Sequence, residues 1–210
     1  MVSMINSEIK KYIENNIFPE YSKNEEGHGI KHINTVIERS FKLARDYDVN
    51  MDMVYVIASY HDIGHHIDKD THEKISAQIM FLDNNLSKWF NEDERLIIKE
   101  AIEDHRASNS YEPRSIYGKI ISSADRTIMN IDDSIRRTYL YGKKHETTYN
   151  HEQLVERVYT HLRDKYGEEG YAKCYIKDEE FENALSSLRE ALKDKETFIK
   201  RVKVIVEELR

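Results

Sequence analysis

Only two prolines, Pro19 and Pro113, and seven glycines interrupt 210 residues. A chain with so few backbone breaks, whose apolar residues return every three or four positions, is constrained to long helices joined by short turns. The expected fold class is all-α, and strands are not evident. Ile9, Tyr12, Ile13 and Ile17 share one face of a first helix that stops before Pro19. Further helices are expected at about 32–47, 53–62, 71–86, 92–105, 115–130, 132–142, 148–166 and 178–208. Asp52 and Asp70 read as N-caps, and Glu73, three residues after Asp70, as a capping-box partner.

Several polar residues sit on the apolar stripes of these helices. Counting back from His61, residues Val54, Ile57 and Ala58 fall at i−7, i−4 and i−3, so His61 points inward, and the adjacent Asp62 is a carboxylate that needs a positive partner. His32 precedes the stripe Ile33, Val36, Ile37, Phe41 and Ala44. His72 starts one through Ile75, Ile79, Leu82 and Leu86, and His105 ends one through Ile98, Ala101 and Ile102. Asp125 lies with Ile121, Ala124 and Ile128. A lone histidine on such a face is usually a hydrogen-bonded core residue, but six candidate ligands on five helices read as a metal site.

The order His32, His61-Asp62, Asp125 resembles the H…HD…D signature of the HD-domain metal-dependent phosphohydrolase superfamily, and the order with His72 and His105 inserted looks like its two-metal branch. Gly64 after the HD pair, Ser76-Ala77 after His72, and Ala124-Asp125-Arg126 carry the resemblance further. It implies an all-α HD-domain helical bundle with a metal-binding core over 27–133 and a helical extension over 134–210 packed on it, together one helical domain across 1–210. It also implies that Asp62 bridges two ions, with His32, His61 and Asp125 on one and His72 and His105 on the other, and that a hydroxide between the ions attacks phosphorus. Relatives that cleave cyclic dinucleotides often carry a lysine three residues after the HD aspartate and a Gly-Tyr-Pro motif. This chain has His65 there and lacks that motif, which argues against that substrate.

Mixed imidazole and carboxylate donors suit Mn²⁺, Fe²⁺, Co²⁺, Ni²⁺ or Zn²⁺, one or two ions, with Mg²⁺ as an addition. Asp62, His65 and Arg126 are the catalytic candidates: His65 as a proton donor, or alternatively, with His66, as a cation at a helix C-terminus, and Arg126 as a phosphate contact. Arg106, which follows His105, is a second phosphate candidate, and His28 belongs to a loop over the site. Arg136, Arg137, Lys143 and Lys144 around Tyr139 and Tyr141 read as a solvated charged face, with a phosphate rim as the alternative.

A net charge of −7 excludes a broad nucleic-acid surface and favours a small phosphorylated substrate such as a nucleotide. The single cysteine, Cys174, excludes an internal disulfide and suits a reducing cytoplasm. No apolar run reaches membrane-spanning length, and the segment Met1 to Ser7 lacks a signal core, so a cytoplasmic protein is expected. The stripes Leu154, Val155, Val158, Tyr159, Leu162 and Phe181, Leu185, Leu188, Leu192 suit packing within the chain, with a homodimer seam as the alternative, and the tail Phe198 to Leu209 extends the second stripe. The functional expectation is a metal-dependent phosphohydrolase. The alternatives are a di-iron oxygenase of the same superfamily and a nucleotide-sensing module with a residual metal site.

Overall fold

The computed structural model describes residues 5–126 and 130–209 and contains only helices, turns and loops among them. Ile128, placed above on the Asp125 stripe, lies outside the described residues, and the helix expected over 115–130 ends at Asp125, where Arg126 leaves helical geometry. The chain divides into two units, 1–126 with 174–176, and 127–173 with 177–210. No helix among the described residues is long and apolar enough to cross a membrane.

The first unit holds α1 (Ser7–Asn16), α2 (Ile30–Ala44), α3 (Met51–Tyr60), α4 (His72–Leu82), α5 (Glu92–Asp104) and α6 (Ile116–Asp125). Every residue of α3 from Met53 to Tyr60 is buried, the mark of a helix enclosed on all sides rather than an amphipathic surface helix. It contacts α1, α2, α4, α5 and α6. α3 therefore ends inside the unit, and the residues that follow it, His61 and Asp62, are only 0% and 2% exposed. Residues 174–176 also belong here. The backbone N–H groups of Tyr175 and Ile176 donate to Ser123 Oγ at 2.9 and 3.1 Å, and Ile176 joins the core.

Local capping departs from the expectations at two helices. Asn50, not Asp52, caps α3, its side chain accepting from Asp52 N at 2.9 Å. Asp52 instead accepts from the backbone of Asn6 at 2.8 Å. Asp70 and Glu73 form no capping box: Thr71 stands at the N-cap of α4, and Glu73 pairs with Arg106 at 2.9 Å. The buried face of α4 is Glu73, Ser76, Ala77 and Met80, one position along from the expected stripe. Leu82 is 65% exposed. The helix stops there because Asp83 turns out of helical geometry and accepts from the Tyr12 and Tyr60 hydroxyls, both at 2.6 Å.

The second unit holds α7 (Ile131–His145), α8 (His151–Tyr166), α9 (Glu179–Lys193) and α10 (Lys195–Glu207). The expected 178–208 helix is two helices. Asp194 leaves helical geometry and caps α10 by accepting from Thr197 N and Oγ1 at 3.1 and 2.7 Å, a local alternative to continued helix that Asp readily supplies. Leu154, Val155, Val158, Leu162, Phe181, Leu188, Phe198 and Val202 are buried, on the expected stripes.

Candidate metal centre

The candidate ligands all sit at helix ends in the first unit. His32 is in the first turn of α2, His61 is the C-cap of α3 with Asp62 next, His72 opens α4, His105 is the C-cap of α5, and Asp125 closes α6. Helix ends carry unpaired backbone groups and direction changes, so five helices can aim polar side chains at one point while their apolar faces stay packed.

The structure brings all six together. His32 Nε2 is 3.1 Å from Asp125 Oδ1, 3.5 Å from Asp62 Oδ2 and 3.4 Å from His61 Nε2. His61 Nε2 is 3.6 Å from Asp62 Oδ2 and 3.8 Å from Asp125 Oδ1. On the other side of the same carboxylate, His72 Nε2 and His105 Nε2 each lie 3.4 Å from Asp62 Oδ1 and 3.1 Å from one another. Asp62 thus turns one oxygen to each of two half-sites, and both triads, His32/His61/Asp125 and Asp62/His72/His105, have metal-holding spacing.

Two observations test whether these residues fit an ion. Nitrogen and oxygen donors about 2.1 Å from a tetrahedral ion stand roughly 3.4 Å apart, which the observed 3.1–3.8 Å spacings bracket. Second, the Nδ1–H groups of His61, His72 and His105 donate to the carbonyls of Ala58, Lys69 and Ile102 at 2.9, 2.9 and 2.6 Å. Those bonds fix the tautomer and leave each Nε2 with a lone pair. The Nε2 atoms of His72 and His105, 3.1 Å apart, are close enough to share a proton or a metal ion. The donor set fits a divalent ion, and four imidazoles with two carboxylates favour a transition metal.

The protein's own charges already lean this way. Burial opposes charge on His32, but its hydrogen bonds to Asp125 and Asp62 outweigh that and raise it to about 10. Burial holds the wholly enclosed His61 down to about 4. Burial also works against the Asp62 and Asp125 carboxylates, yet the surrounding histidines keep both well below the ordinary range. Asp125 is the more open of the two, its side chain 25% exposed against 3% for Asp62.

The other candidates lie as follows. His28, read above only as part of a loop, donates from Nδ1 to Asp62 Oδ2 at 2.7 Å. It orients the shared carboxylate, and His28, His32 and Asp62 form a third group with metal-holding spacing. Its place four residues before His32 was the available signal. His65 stacks on His28 with ring centroids 3.8 Å apart, and lies 5.1 Å from the His72 ring. Burial and the neighbouring His28 lower His65 to about 4, so it is neutral at pH 7 and offers a hydrogen bond there rather than a proton. His66 bonds Asn24 at the surface.

Arg126 is 4% exposed, donates to Ser122 O and Oγ, and lies 5.6 Å from the Tyr175 ring. These contacts fix it against α6 and the 174–176 segment instead of presenting it to a phosphate. Arg106 is engaged by Glu73, the Asp70 carbonyl and Ser108. In the second unit Arg136 pairs with Glu208 and Asp133 on an exposed face, as a solvated charged surface would.

The HD domain family model matches residues 29–130. No curated protein matches the chain. Among solved structures, a predicted HD superfamily hydrolase from an uncultured Thermotogales bacterium is 21% identical, with 73% of this chain and 87% of that one covered and a TM-score of 0.49. HD domains bind divalent metals, and the matched segment contains all six candidate ligands. Residues 29–130, just under half of the chain, are thus similar to the HD domain family.

Proposed function

We propose that this chain is a metal-dependent phosphohydrolase that cleaves a phosphate ester of a small metabolite, with nucleotides the first class to test. The observation that carries the reading is the two-sided Asp62 carboxylate, with three further donors on one side and two on the other, inside an HD domain. Divalent ions held there would supply Lewis acidity toward phosphoryl oxygens and a water acidified enough to act as nucleophile at neutral pH.

The chain's own residues prepare that chemistry. His28 orients Asp62 so that each carboxylate oxygen serves one half-site. The carbonyls of Ala58, Lys69 and Ile102 hold three imidazoles in the tautomer that can ligate. His65, beside His28 and His72, is the candidate partner for the leaving oxygen. A neutral ring there donates one hydrogen bond, and its loss as His65→Ala should lower kcat more than it changes KM.

Purified protein reloaded with Mn²⁺ and screened over nucleoside phosphates and sugar phosphates should release inorganic phosphate from at least one group. Protein bearing Asp62→Ala should release none while staying folded. Oxygen-dependent turnover by iron-loaded protein, without phosphate release, would replace this reading with the oxygenase one.

A further inference from the structure

We infer that the Glu73–Arg106 ion pair presets the second half-site, and so decides whether the HD domain takes up a second ion. The inference rests on the two-ion reading above. Glu73 follows His72 at the start of α4, and Arg106 follows His105 at the end of α5, so each partner is one residue past a ligand. Arg106 Nη1 donates to Glu73 Oε2 at 2.9 Å and also to the Asp70 carbonyl, which belongs to the turn leading into α4. Its Nε donates to Ser108 Oγ at 2.9 Å. One guanidinium thus ties the α4 entrance to the α5 exit.

The need for such a tie follows from the ligands. His72 and His105 have both Nδ1–H groups committed to carbonyls, and their Nε2 atoms stand 3.1 Å apart. In the first half-site, carboxylates alternate with imidazoles, and the carboxylate charge draws the donors together. The second has one shared carboxylate oxygen and two imidazole nitrogens 3.1 Å apart. It has less carboxylate charge to hold its donors in place, and Glu73, 6% exposed, with Arg106 is the ion pair that spans the same two helix ends. The pair is largely buried on the Glu73 side, so its attraction is weakly screened and its geometry fixed. The same contacts make Arg106 a positioning residue and not a phosphate ligand.

The test is calorimetric titration of the chelator-stripped full chain with Mn²⁺ alone, on wild type, Arg106→Met, Arg106→Lys and Glu73→Gln, with melting curves alongside. Arg106→Met should bind the first ion as wild type does and the second about 10- to 100-fold more weakly, and Arg106→Lys should recover part of that loss. Glu73→Gln, which keeps an acceptor and removes the charge, should fall between them, and it carries the test if Arg106→Met does not fold. Unchanged second-ion affinity would overturn the inference while leaving the two-ion reading intact, as would equal weakening of both ions or normal metal binding with a raised KM. Wild type that binds one ion would overturn both.

Discussion

Asp62→Asn exchanges one oxygen for an NH₂ group and removes one charge, and the geometry of the carboxylate predicts which half-site it disables. The carboxylate places Oδ2 at 2.7 Å from His28 Nδ1 and at 3.5 and 3.6 Å from His32 and His61, and Oδ1 at 3.4 Å from both His72 and His105. An amide has one acceptor oxygen. His28 donates at the Oδ2 position, so the amide oxygen stays there and the NH₂ group turns toward His72 and His105, where it cannot ligate. The first half-site keeps His32, His61, Asp125 and a neutral oxygen. The second falls to two imidazoles facing an N–H group, too few donors for a stable site. Stoichiometry should drop from about two ions to one. Loss of one preorganised electrostatic group typically lowers kcat by about 10²–10³, and because Asp62 serves both half-sites the fall should reach at least about 10³. Folding should survive: the lost charge-assisted hydrogen bond costs about 1.5–3 kcal/mol, against which a buried charge is removed. Elemental analysis, phosphate release and a melting curve on one preparation decide it. Two bound ions, or turnover within tenfold of wild type, would refute the reasoning.

Three further outcomes follow from the same structure. Gly64→Ala would put a Cβ 2.6 Å from Ile75 Cγ2 and 3.0 Å from Ser76 N, so α4 must move off the HD turn. Urea denaturation should show a loss of about 1–3 kcal/mol, with metal affinity falling too. His161, in α8, is held down to about 4 by burial and by Lys165 and Arg157. The unfolded chain then binds the proton first as pH falls, and stability is lost between about pH 6.5 and 4, by roughly 2 kcal/mol at pH 5. His161→Gln should shrink the difference in unfolding free energy between pH 7.5 and pH 5 by about that amount. Chelation should lower Tm: ions at a hundred times their Kd contribute about 2.7 kcal/mol per site, or on the order of 5–10 °C for a chain of this size, and an unchanged Tm would mean that the ions are not bound to the folded state.

Most of the helices and candidate ligands were legible for one reason: His32, His61, His105 and Asp125 lie in register with apolar stripes, so a period of three to four residues located both, whereas the buried face of α4 runs one position along from the His72 stripe. The helix ends were less legible. Asp194 separates the stripe ending at Leu192 from the one starting at Phe198, a step of six residues that a continuous helix would not show, and its cap on Thr197 starts the new helix. Glu73 fits a capping box by spacing, but burial beside Arg106 gives it a stronger partner 33 residues away. Arg126 follows a ligand in sequence, yet it turns toward Tyr175, a residue from a distant segment. Contacts of that kind depend on tertiary placement, which periodicity does not encode. His28 was legible in hindsight, since its four-residue separation from His32 brings it within reach of Asp62.

The most direct test of the two-sided Asp62 site is anomalous diffraction from Mn²⁺-loaded crystals, measured on both sides of the metal absorption edge. Two anomalous peaks are expected, one bounded by His32, His61, Asp125 and Asp62 Oδ2, the other by His72, His105 and Asp62 Oδ1. A single peak, or any peak away from Asp62, would contradict the account.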